Sequence, residues 1–273
     1  MTLRRYVALG DSFTEGVGDP HPGSQNGLRG WADRVAAALA IDNPGLGYAN
    51  FAVRGRVMDD ILTDQVPPAQ LLEPDLVTVY AGMNDLMALT VDIDAMMTRY
   101  AEGLKSLHQT GAIVLAFTAP DLGAKPLFRG LRGRGAIYNE LLRSIADDLG
   151  IGLIDFWRFD EFRDPRLWDR DRVHLSPLGH EVMAARVLEA VLDAAPTTPV
   201  FVPAPTAATT LLANARWAAS FAAPWVLRRL RRMTPGAGVE PKSTSLVRVG
   251  AASAPALAGD LGEHHTRGDR GVE

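Results

Sequence analysis

Five short apolar runs rich in β-branched and aromatic residues recur through the first part of the chain, at Tyr6 to Leu9, Tyr48 to Val53, Leu76 to Ala81, Ile113 to Thr118 and Ile151 to Phe156. Each is separated from the next by a segment with helical periodicity or helix-forming composition. That alternation predicts an α/β domain, a parallel sheet of five strands covered by helices on both faces. The clearest helices are Trp31 to Ala40, Ile93 to Gln109, Ala136 to Leu149 and Pro177 to Asp193. The last has Ser176 as its N-cap and Pro177 at the first helical position, where the missing N–H costs nothing.

The chain has 273 residues, 47% of them apolar, enough for one main domain with an appendage. After Ala195 the composition changes. Pro196-Thr197-Thr198-Pro199 and Pro203-Ala204-Pro205 make a stiff linker over 196–205, so the main domain is expected to span 1–195 and to contain every strand. An amphipathic basic helical segment is expected over 206–233, and a disordered tail over 234–273, where Gly, Pro, Ser and scattered charge replace periodic apolar residues. Met1 to Arg5 run directly into the first strand, too short a lead for a signal peptide, and the expected compartment is the cytoplasm.

Cysteine is absent, which removes disulfides, thiolate metal sites and cysteine nucleophiles together. The net charge of −4, with basic residues spread along the first 195 positions, offers no footprint for nucleic acid. Chemistry in an open α/β sheet collects beyond the carboxyl ends of the strands. There stand Gly10-Asp11-Ser12-Phe13-Thr14-Glu15-Gly16, Arg54-Gly55-Arg56, Gly82-Met83-Asn84-Asp85 and, farther from the fifth strand, Asp171-Arg172-Val173-His174. A serine hydroxyl needs a base to become a nucleophile, and His174 is the best placed of six histidines. The base needs a carboxylate to fix its tautomer, and Asp171 lies three residues before it. Acyl transfer also needs donors for the oxyanion, a role suited to Gly55, whose backbone N–H is unshielded, and to the neutral amide of Asn84.

At these residues the chain resembles the SGNH hydrolase (GDSL-type esterase/lipase) family, whose four blocks occur here in order: Gly10-Asp11-Ser12, Asn50 to Gly55, Gly82 to Asp85, and Asp171 to His174. The resemblance covers about residues 5–195. It implies a flavodoxin-like three-layer α/β/α sandwich and hydrolysis of esters, thioesters or O-acetyl groups through an acyl-enzyme. It implies neither metal nor cofactor. Ser12, Asp171 and His174 would be catalytic, with the backbone N–H groups of Ser12 and Gly55 and the Asn84 amide as the oxyanion hole. The partner it implies is a small acyl-ester substrate; oligomeric state stays open.

Other residues have plainer readings. Asp11, Glu15 and Asp19 read as a solvated acidic loop rather than a metal site, and His21 as an exposed loop histidine. Arg54 and Arg56 either sense an anionic substrate or pair with nearby carboxylates, and the sequence does not choose. Arg129, Arg132 and Arg134 would favour an anionic ester if they face the cleft. His264-His265 lack a third ligand at a sensible spacing. Trp217, Phe221 and Trp225, followed by Arg228, Arg229, Arg231 and Arg232, read first as a helix docked on the main domain and second as a peripheral membrane contact. Two rival functions stand beside hydrolysis. One is a flavodoxin-like protein whose Ser12 to Gly16 loop cradles a phosphate or flavin, which leaves Asn84, Asp171 and His174 without a role. The other is an inactive scaffold carrying a functional basic tail.

Overall fold

The computed structural model describes residues 2–88, 90–124, 128–193, 220, 236 and 238–250. Strand β1 (Arg5–Leu9) leads into a single helical turn, α1 (Ser12–Glu15), followed by α2 (Gly30–Asp42) and β2 (Gly47–Asn50). Helices α3 (Met58–Asp60) and α4 (Val66–Gln70) flank a wider turn at Ile61–Gln65, and β3 (Leu76–Val79) is followed by the short α5 (Met83–Leu86). Then come α6 (Ile93–His108), β4 (Ile113–Phe117), α7 (Arg132–Leu149), β5 (Gly152–Ile154), α8 (Pro177–Leu192) and β6 (Ser243–Arg248). The caps explain the sharp boundaries: Asp92 accepts from Ala95 N at the start of α6, Ser176 accepts from Gly179 N at the start of α8, and Gly150 ends α7 in the left-handed conformation.

The sheet order is β5-β4-β3-β1-β2-β6. Strands β1 to β5 are mutually parallel, and their order places the topological switch between β1 and β3. Alternate residues of β1 feed opposite faces: Tyr6 and Ala8 pack with Trp31, Val35, Val182 and Val187 of α2 and α8, while Val7 and Leu9 pack with Tyr100, Leu104, Tyr138 and Leu142 of α6 and α7. This is the predicted three-layer sandwich.

The sheet has six strands, not five. The sixth, β6, lies inside the stretch read as a disordered tail and pairs antiparallel with β2, Tyr48 opposite Val247. Without it β2 would be an edge strand with unpaired backbone groups, and Ser243-Thr244-Ser245-Leu246-Val247 has the β-propensity to cover that edge. The linker 196–205, most of the segment 206–233 with Trp217, Phe221 and Trp225, and His264-His265 lie outside the described residues. Among the described residues no helix is long and apolar enough to cross a membrane.

Candidate active site

Ser12 is the first residue of α1, at the switch point beyond β1. The turn that presents it is rigid. Gly10 adopts φ 151°, and a Cβ there would stand 2.7 Å from Tyr80 O, so only glycine lets β1 turn this close to β3. The buried Gln65 side chain pairs with both backbone groups of Gly10, accepting from its N–H at 2.8 Å and donating to its carbonyl at 2.9 Å. Asp11 caps α1 by accepting from Phe13 N at 3.0 Å.

His174 Nε2 lies 3.0 Å from Ser12 Oγ, and His174 Nδ1 lies 2.6 Å from Asp171 Oδ2. The loop that carries both is a tight turn over a Trp168–Leu175 bridge, with Arg172 at φ 59° and its N–H bonded to Asp169 O. The other oxygen of Asp171 accepts from the backbone N–H groups of Val173 and His174 at 2.9 and 3.0 Å. Burial opposes ionisation of Asp171, but the hydrogen bond and charge of the imidazole, with these two N–H donors, outweigh it and hold the carboxyl at about 2. An ionised carboxylate only accepts, so Nδ1 carries the proton and the Nε2 lone pair faces Ser12. A hydroxyl so placed can lose its proton to His174 as it attacks.

Among the described residues the backbone N–H groups of Ser12 and Gly55 donate no hydrogen bond. Gly55 sits at φ 79° in the loop after β2. The preceding Arg54 is clamped by Glu15 of α1, which is fully buried and accepts from Arg54 N at 2.7 Å, Nε at 3.1 Å and Nη2 at 2.5 Å. The helix that carries Ser12 thereby fixes the loop that bears Gly55. Asn84 stands at the start of α5, across the switch point from Ser12. Its Nδ2 donates to Asp11 Oδ2 at 3.0 Å and to Arg56 O at 2.9 Å, so serving an oxyanion requires it to share one of these protons. Burial pushes the Asp11 carboxyl up to about 7, against the Phe13 N–H and the charge of His174.

The structure therefore brings Ser12, His174 and Asp171 together, with Asn84 linked to the Ser12 turn through Asp11. It overturns the solvated acidic loop. Asp11, Glu15 and Asp19 are all buried, because each finds donors: Asp19 Oδ2 takes Arg34 Nη2 at 2.9 Å and Gly30 N at 3.2 Å. The Arg54 guanidinium beside this loop is committed to the Glu15 carboxylate rather than turned towards a phosphate, against the rival phosphate-cradle reading. Arg54 and Arg56 resolve to carboxylate pairing, the latter with Asp64 at 3.3 Å. Arg132 pairs with Asp121 at 2.7 Å, Arg134 donates to Ala88 O, and His21 bonds Ser24 Oγ at 3.1 Å. Among the described residues no cluster of three or more His, Asp or Glu side chains is placed to hold a metal ion. Sequence reasoning missed the supports. Gln65 and Glu15 are separated by tens of residues from the groups they hold; Glu15 stands beside Gly16 in the turn that carries Ser12, whereas Gln65 sits in Ile61 to Pro68 with no local signal of its role.

The α/β sandwich that places Ser12 at the β1/β3 switch, with His174 and Asp171 behind it, has a fold shared with solved structures. LAE5, an alpha/beta hydrolase enzyme from the metagenome of Lake Arreo, Spain, is similar at 24% identity and TM-score 0.59 over 70% of this chain and 96% of that one. A member of the lipolytic protein G-D-S-L family from Veillonella parvula gives 18% identity and TM-score 0.56, covering 69% of this chain and 98% of its own. A catalytic mutant of Axe2, an acetylxylan esterase from Geobacillus stearothermophilus, gives 18% identity and TM-score 0.58, covering 70% and 94%. No curated protein matches the sequence. The chain belongs to the GDSL-like Lipase/Acylhydrolase family, which matches residues 8–182, and is an ester-hydrolysing enzyme.

Proposed function

We propose that the protein hydrolyses carboxylic esters of small acyl groups, with thioesters and O-acetyl groups in the same chemical class, through an acyl-enzyme on Ser12 and without a metal. The observation that carries this reading is the continuous relay from Ser12 Oγ to His174 at 3.0 Å and from His174 to Asp171 at 2.6 Å. Ser12 Oγ attacks the acyl carbonyl while its proton passes to His174 Nε2, and Asp171 stabilises the imidazolium. The oxyanion is held by the N–H groups of Ser12 and Gly55, joined by Asn84 when it turns a proton from Asp11 or Arg56. Collapse of the tetrahedral intermediate expels the alkoxide, which takes the proton from His174. Water, deprotonated by the same histidine, then releases the acid and restores Ser12.

A panel of acyl chains and leaving groups assayed with the purified enzyme, with Ser12→Ala as the blank, tests this reading and ranks the substrates. Hydrolysis is expected to vanish in the blank and to be unaffected by chelators. Activity lost to a chelator and restored by zinc or manganese would replace the relay with a metal mechanism.

A further inference from the structure

The family match ends at residue 182, yet the chain returns to the sheet more than fifty residues later and is anchored there at several points. Strand β6 pairs with β2, the strand that feeds the Gly55 loop, and Val249 N donates to Leu46 O at 3.0 Å. Lys242 is buried, its ammonium 2.5 Å from Asp33 Oδ2 and 2.8 Å from Arg29 O on the start of α2. Glu240 O accepts from Asn26 Nδ2 at 3.0 Å. Upstream of these anchors, buried Gly236 rests on the loop itself. A Cβ at that position would stand 2.2 Å from Arg54 O and 2.9 Å from Val53 Cγ1, so the contact is backbone against backbone and admits no side chain.

Arg54 O and Gly55 N–H belong to one peptide unit. In a planar trans peptide the carbonyl and the N–H point in opposite directions, so whatever fixes the carbonyl also aims the N–H. Glu15 holds the Arg54 side of this unit from the nucleophile helix. We infer that the C-terminal residues Gly236 and Gly238 to Val249 form a positioning element of the catalytic site, in which Gly236 seats on the Arg54 carbonyl and thereby aims the Gly55 N–H at the oxyanion. This rests on the oxyanion role proposed above for Gly55. Lys242 and β6 supply the anchorage and Gly236 the contact. The peptide is held between α1 and the tail, and its rotation away from the cleft is opposed from both sides.

The test uses the full chain and steady-state kinetics on a short activated ester. Gly236→Ala places a methyl group against Arg54 O and is expected to lower kcat roughly ten- to a hundredfold with KM little changed, the signature of a misaimed transition-state donor. Gly250→Ala, directly after the segment, is the control, because nothing lies within 4 Å of a Cβ there, and it should leave both constants unchanged. Should Gly236→Ala fail to fold, Lys242→Met loosens the anchorage without touching Arg54 and should lower kcat in the same sense. Wild-type kcat in whichever of the two variants folds, or a raised KM at normal kcat, would overturn the inference. Ser12→Ala, run alongside, separates the layers. An inactive Ser12→Ala with normal Gly236→Ala overturns the tail's role alone, whereas an active Ser12→Ala overturns the acyl-enzyme reading beneath it.

Discussion

Acid should weaken this fold through His180, a residue outside the Ser12–His174–Asp171 relay. Its ring is fully buried where α8 meets the loop after α1: Nδ1 accepts from Trp31 N at 3.2 Å and Nε2 donates to Val17 O at 3.2 Å. That arrangement needs a neutral imidazole, and burial drives its pKa from 6.5 down to about 4. Above the unfolded value both states are neutral and the stability is fully present. As pH falls below 6.5 the unfolded chain takes up a proton that the folded one refuses, and stability is lost until the folded ring also protonates near 4. The loss amounts to about 2 kcal/mol by about pH 5 and about 3 kcal/mol by about pH 4. Asp11 works in the opposite direction, because its raised carboxyl favours the folded state as pH falls from about 7 toward 3.8. The His180 contribution is isolated by comparison with His180→Gln, whose amide can accept from Trp31 N and donate to Val17 O without titrating. Urea unfolding of both proteins from about pH 7.5 to about pH 4.5 reads the difference, and the wild type should lose the larger share. Equal pH dependence in the two would refute a neutral buried His180.

Two variants probe the proposed catalytic groups. Asn84→Ala should lower kcat about a hundredfold with little change in KM if the amide serves the oxyanion; a changed KM at normal kcat would confine it to bracing Asp11 and the Arg56 carbonyl. Asp171→Asn should cut the rate by several orders of magnitude with the fold intact, by offering the imidazole the wrong hydrogen-bonding partner. Circular dichroism and a rate assay check both, and an unaltered rate would move the orienting role to another carboxylate.

The parallel sheet and the four helices read from periodicity were legible because each is long enough to bury a face, and their boundaries moved by a few residues, as at the four added ahead of Ala136 in α7 (Arg132–Leu149). The segment over 58–70 was not legible: Pro67 and Pro68 obscure a helical pattern that Pro satisfies by standing at the start of α4. Strand β6 was hidden for another reason. Its exposed side chains show no apolar alternation, and the need it meets, the open edge of β2, is a property of the folded sheet. In the candidate site, the grouping of Ser12, Asp171 and His174 was legible because the proposed nucleophile, base and orienter must be particular residue types. Burial of Asp11, Glu15 and Asp19 was not, since a carboxylate's fate depends on partners such as Arg54 and Arg34 that only the fold brings near.

The claim on which the rest depends is that Ser12 Oγ is the atom acylated. Treatment with a serine-directed phosphonate, followed by intact mass and peptide mapping, tests it most directly. The relay at 3.0 Å predicts one adduct per chain, on Ser12, appearing in step with loss of esterase activity and absent from Ser12→Ala. An adduct on any other residue, or a Ser12→Ala protein that still turns over ester, would contradict it.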